Sequence, residues 1–185
     1  YHKIKILDGD TEVLTSNAFS KTAGQSAAEV TLSSSQRSTL LAYMTEMKVL
    51  NAKIVLVTYS NSACTTELGR TSGYTCKILT TETLSAPTFT NFTFSDVNAT
   101  TKALIGKTDV FLQTYSMLNV ECAQATAKNG ATIASYSVSV GNVSVTSAER
   151  SIYVGGINSV GTLEIVVSCS DSRGYSTKVK KSITV

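Results

Sequence analysis

The chain has 185 residues, 42% of them hydrophobic and 16% charged, with a formal net charge of +3. That length fits one large domain or two small ones, and the charge is spread evenly: residues 1–87 hold 8 basic and 7 acidic side chains, residues 88–185 hold 8 and 6. The basic footprint of a nucleic-acid binder is therefore absent, and no apolar run reaches the roughly 18 residues of a membrane-spanning helix.

Polarity comes from hydroxyls instead, with 27 Thr and 25 Ser. Threonine suits half-buried pleated surfaces, so this composition predicts a mainly β protein with a solvated outer face. Tyr1 follows neither an initiator methionine nor a secretion signal, and reads as the edge of a fragment.

In chain order, the run HKIKI alternates as a strand does, AEVTLS reads as a second, and AKIVLVTYS as a central one. Between the last two, serines that can cap a helix precede Leu40, Leu41, Met44 and Met47 at helical spacing. That pattern predicts one short helix, about 35–48, on a β module. A hairpin follows, from VTYS through NSACTTELGRTSG to YTCKILT.

Pro87 is the only proline. It lacks an amide donor and biases the preceding residue to extended geometry, which suits a linker. The expected modules are 1–87 and 88–185.

The second piece reads as about seven short strands separated by turn residues: TFTNFTF, KALIG, MLNVECAQAT, ATIASYSVSV, RSIYVGG, GTLEIVVSCS and STKVKKSITV. This is the pattern of an immunoglobulin-like sandwich. Leu118, Val120 and Cys122 share one face; so do Tyr136, Val138 and Val140, and so do Leu163, Ile165, Val167 and Cys169. Asp171, Ser172 and Gly174 supply the turn before the final strand. The chain stops where a sandwich's last strand stops, so a further module could follow.

Cys122 and Cys169 lie 47 positions apart on expected inward faces of separate strands. They suit an inter-sheet disulfide, which could contribute on the order of 4 kcal/mol. They also suit two small buried apolar thiols, the commoner arrangement in a core. Cys64 and Cys76 fall in one expected hairpin and could clip it. The sole histidine is His2 and no CxxC pair occurs, so no metal site is expected. No GxSxG or HExxH motif occurs, and Asp96, Asp109 and Asp171 read as turn residues rather than a hydrolase pair. No cofactor motif is present either. Asn91, Asn98 and Asn142 begin N-x-S/T triplets, which arise readily in so hydroxyl-rich a chain. Tyr59, Tyr74, Tyr115, Tyr153 and Tyr175 fall near strand ends or turns, where rings can meet a sugar or a partner.

The stretch FSDVNATTKALIGKTDVFLQTYSMLNVECAQATAKNGATIASYSVSV and the ending VVSCSDSRGYSTKVKKSITV resemble an Ig-like repeat of minor structural proteins in tailed phages and prophages of Gram-positive bacteria. The resemblance rests on Phe94–Asp96–Asn98, Leu104–Gly106, Ser116–Leu118, Thr132–Ile133–Ser135–Tyr136 and Asp171–Ser172–Arg173–Gly174. The module leading into Pro87 resembles the domain that precedes this repeat. The resemblance implies a virion component, extracellular and non-enzymatic, in a tail fibre or tail tip, acting as spacer or host-attachment element. It implies other tail proteins as partners, a cell-wall polysaccharide or surface receptor as target, and a homotrimer of the parent. A bacterial cell-surface adhesin or carbohydrate-binding module of the same fold is the alternative. The pair Cys122 and Cys169 departs from the usual repeat.

Overall fold

The structure, a computed structural model, describes residues 1–21 and 29–185. Its chain forms two compact units, Tyr1–Thr80 and Thr81–Val185, both mainly β.

In the first unit, β1 (His2–Asp8) pairs with β2 (Thr11–Thr15) through the Gly9 turn. β1 also pairs along its length with β3 (Val49–Tyr59), the long central strand. Two successive segments, β4 (Glu67–Arg70) and β5 (Tyr74–Leu79), line the other edge of β3: β4 meets Val57–Tyr59 and β5 meets Val49–Ile54. The helix α1 (Ser34–Tyr43) packs near β2. It starts at a reciprocal cap: the Gln36 amide donates to Ser33 Oγ, and the Ser33 amide donates to Gln36 Oε1. Gln36 Nε2 also donates to the Thr15 carbonyl, fastening the helix to β2.

Leu40 and Met44 are buried against Ile6, Leu14, Leu50 and Ala52, with Met47 packed on the edge of this cluster. The expected apolar stripe is thus real, but the helix ends at Tyr43. Met44 leaves helical geometry at ψ 40°, because the chain must turn to start β3 at Val49. The strand expected over AEVTLS does not form: residues 29–33 are irregular, and Ser33 serves the helix cap instead. Ala28 of that run lies outside the described residues.

The second unit opens with a short helical turn, α2 (Glu82–Ser85), and then β6 (Phe92–Asp96), α3 (Ala99–Ile105) and β7 (Leu118–Cys122). β8 (Ile133–Val140), β9 (Val143–Ser147), β10 (Ser151–Val154), β11 (Thr162–Asp171) and β12 (Ser176–Thr184) complete it. The sheets are ordered β10-β7-β6 and β12-β11-β8-β9, all pairs antiparallel. First, second and fifth strands therefore make one sheet; third, fourth, sixth and seventh make the other. This is an immunoglobulin-like sandwich. The alternating residues meet in one core: Phe92, Leu118, Val120, Tyr136, Val138, Val140, Ile165 and Val167 are all buried there.

KALIG is not a strand. Asn98 Oδ1 accepts from the Thr100 and Thr101 amides, and Gly106 closes the segment at φ 63°, so cap and stop signals make it α3. The contact seam falls ahead of Pro87, which is buried with the second unit: Thr177 Oγ1 donates to its carbonyl, and Asn129 Nδ2 donates to Leu84 O.

Candidate functional site

Cys122 lies on β7 and Cys169 on β11, in facing sheets of one core, both as free thiols. Burial pushes each up to about 11; Glu121 adds to the effect on Cys122, and Cys122 itself adds to that on Cys169. Thiols so disfavoured from ionising are poor nucleophiles.

Cys64 and Cys76 are kept apart by the register. Cys76 sits opposite Ala52, whereas Cys64 occupies the turn beyond Tyr59. The intervening stretch of β3 spans on the order of 20 Å, and a disulfide needs Cα atoms within about 7 Å. The expected clip does not fit this hairpin, because β4 takes the place opposite the end of β3 and displaces β5 along it.

The five tyrosines are divided between the two units. Tyr59 is half-buried at the end of β3 with Lys3 Nζ 5.9 Å from its ring centre, and Tyr74 stands exposed on β5. In the second unit, Tyr115 and Tyr153 are exposed, the former in the loop into β7 and the latter on β10 opposite Asn119. Tyr175 is half-buried beside the β11–β12 turn, its amide donating to Asp171 Oδ1.

Five of the polar residues that carry the resemblance, Asp96, Asn98, Ser116, Asp171 and Arg173, are spent on two buried polar knots. In the first, Asp96 ends β6 and accepts four hydrogen bonds. Thr101 Oγ1 and Ser116 Oγ (2.6 Å) donate to Oδ2; the Asn98 (2.9 Å) and Met117 (3.1 Å) amides donate to Oδ1. Burial alone would raise this carboxyl, but the hydroxyl and amide donors outweigh it and hold the group below its ordinary value. Asn98 caps α3 and donates from Nδ2 to Tyr115 O.

In the second knot, Asp171 Oδ1 accepts from the Arg173 and Tyr175 amides across the turn. Arg173 folds inward, donating from Nη1 to Lys128 O (3.1 Å) and from Nη2 to Asn129 O (2.7 Å). The β11–β12 turn is thereby tied to the loop between β7 and β8. A buried arginine was not legible in the sequence, since arginine is ordinarily exposed.

The second unit also carries an open cleft of about 360 Å³ beside the ends of β7 and β9, reached by Gln124, Tyr136, Glu149 and Arg150. Sequence reading placed Tyr136 on a core face and assigned the other three nothing. Among the described residues, no group of three metal-ligating side chains converges.

A family model described as "Siphovirus protein of unknown function (DUF859)" matches residues 15–185. None of the curated proteins compared with the chain matches it. Among solved structures, the fibronectin(III)-like modules of Clostridium thermocellum CbhA align with 99% of this chain and 77% of theirs, at 16% identity and a TM-score of 0.39.

Proposed function

The chain belongs to the siphovirus protein family DUF859, and from that premise we propose that it is a non-enzymatic structural protein of the virion, in the tail fibre or tail tip. There it acts as a spacer or as a host-attachment element. Its partners are other tail proteins and, in the attachment role, a cell-wall polysaccharide or surface receptor; the parent chain assembles as a homotrimer.

The observation that carries the non-enzymatic reading is the state of Asp96. A hydrolytic acid needs a raised carboxyl pKa, yet Asp96 is held low by donors from four residues of its own unit. Asp171, the other buried carboxylate, is likewise occupied by its turn. Carboxylates used this way lock loops onto a sandwich. They stiffen a module and leave its surface, rich in hydroxyls and poor in charge, for solvent or a partner.

Immunogold labelling of intact virions with antibody to this chain tests the location. Gold at the distal tail agrees with the proposal; gold confined to the capsid overturns it. Binding of the fluorescent chain to a panel of Gram-positive cells and purified wall polysaccharides then separates the two roles. Saturable binding to particular strains makes it an attachment element, and a folded chain that binds none is a spacer.

A further inference from the structure

Of the nine asparagines in the chain, Asn129 alone is followed by glycine. The pair sits in the β7–β8 connection, where the Ala131 amide donates to Lys128 O at 3.1 Å. Asn129 (φ 52°) and Gly130 (φ 77°) both take left-handed backbone, the demand of a type I′ turn on its two central residues. Asparagine is one of the few side chains that tolerate this conformation, and glycine takes it freely. The turn therefore selects the dipeptide most open to reaction with itself. Glycine has no Cβ to shield its amide nitrogen, so that nitrogen can reach the side chain before it. Both residues are exposed to water, and among the described residues the Gly130 amide has no acceptor.

Two contacts hold the pair. Asn129 Nδ2 donates to Leu84 O at 3.1 Å, tying the connection to α2 at the start of the second unit. The Asn129 carbonyl accepts from Arg173 Nη2 at 2.7 Å, tying it to the β11–β12 turn. The first bond uses the nitrogen that an attack on Cγ expels, so Leu84 O must be released before that nitrogen can leave.

We propose that Asn129 is a site of spontaneous deamidation in the folded chain, slowed by its bond to Leu84, and that the reaction unfastens the β7–β8 connection from α2. Gly130 N gives up its proton and bonds to Asn129 Cγ. The Cγ–Nδ2 bond breaks, and Nδ2 leaves with that proton as ammonia. The five-membered imide then takes up one water: opening at Cγ yields aspartate, and opening at the main-chain carbonyl yields isoaspartate. The balance is asparagine and water to acid and ammonia, with no oxidant and no enzyme. Either product lacks Nδ2, the donor to Leu84 O. Aspartate puts a carboxylate, an acceptor only, in its place. Isoaspartate lengthens the main chain by one carbon and shifts the carbonyl that Arg173 holds.

The test is peptide mass mapping of the chain aged in warm, mildly alkaline buffer, folded and in guanidinium. The expected result is a mass gain of about 1 Da at Asn129 ahead of every other asparagine. In the folded chain it should run about tenfold slower than in the denatured one, the factor set by opening one hydrogen bond. A folded chain still intact at Asn129 when the denatured chain is fully converted overturns the proposal. So does a gain no faster there than at the other asparagines, and so do equal rates in the two states. For the consequence, Asn129→Asp should speed hydrogen exchange at the Ser85 and Ala86 amides, which donate to Thr81 O and Glu82 O, by about threefold or more. The Gly106 amide of α3, which donates to Lys102 O, should exchange as before. Modified chain separated from the aged sample by ion exchange gives the same readout should Asn129→Asp not fold. Exchange at Ser85 and Ala86 that does not change overturns the link to α2.

Discussion

Arg173 and Asp171 stand two residues apart in one turn with both side chains fully buried, and Arg173 Nη1 lies 3.6 Å from Asp171 Oδ2. That oxygen has no hydrogen-bond donor, so its compensation is the arginine's charge. Breaking a buried pair from one side costs far more than the pair contributes, because the remaining charge is stranded. Arg173→Ala is therefore expected to destabilise the second unit by about 3–5 kcal/mol, read from the urea midpoint. Arg173→Lys should recover little, since one ammonium cannot reproduce a fork that reaches both Lys128 O and Asn129 O.

Asp96 predicts a pH dependence. Its folded pKa lies below its ordinary value, so its contribution is complete above the unfolded value of about 3.9. It is lost as pH falls through the folded value. Melting curves between pH 6 and pH 2 should show wild type well above Asp96→Asn at the upper end, with the gap closing towards the lower. Asp96→Ala, which strands the Thr101 and Ser116 hydroxyls, should cost about 3 kcal/mol at neutral pH.

The cysteines should fall into two kinetic classes. With pKa values pushed to about 11, fewer than about one in a thousand of the Cys122 and Cys169 thiols is ionised at pH 7.5. A thiol reagent added to the native chain should modify Cys64 and Cys76 quickly, and the buried pair only as the second unit unfolds. In denaturant all four should react. A count of two in denaturant would mean that Cys122 and Cys169 had joined across the sheets.

Thr114 adopts φ 61°, a left-handed conformation that a β-branched residue rarely takes. Its amide bond to Ile157 O does not depend on the side chain. Thr114→Gly should therefore stabilise the second unit by about 0.5–1 kcal/mol, the relief of strain exceeding the added entropy of the unfolded chain. A raised melting midpoint is the readout.

Ser33→Ala removes one half of the reciprocal cap of α1 and should cost about 1 kcal/mol. If the two units melt separately, calorimetry should show only the transition of Tyr1–Thr80 moving. A shift of both together would mean a single cooperative unit.

Period-two patterning was readable wherever one face of a strand is buried. Leu118, Val120 and Cys122 on β7, and Ile165, Val167 and Cys169 on β11, point into the core as their alternation requires. Composition misled where apolar residues are exposed. Leu104 made KALIG look like a strand, yet it is 75% exposed on α3; the informative signals were Asn98 before the helix and Gly106 after it. That serines cap the helix was legible, but not that Ser33 is the cap, nor the helix's early end, which β3 dictates from outside it. The candidate cleft was the least legible of all. Gln124 lies in the β7–β8 connection, Tyr136 within β8 and Arg150 in the β9–β10 connection, and only the folded sandwich brings them together.

The edge of β12 has a consequence for how such a chain behaves when many copies are made at once. Asp109 and Phe111 cover one end of this outermost strand through backbone bonds to Thr184. Further along, Lys178, Lys180 and Lys181 crowd into four positions, Lys180 reaching Glu164 and Lys181 donating to Phe92 O. A second copy adding itself as another strand would have to strip water from these ammonium groups and dislodge those contacts. Strand addition at this particular edge is thus disfavoured when newly made chains are crowded together.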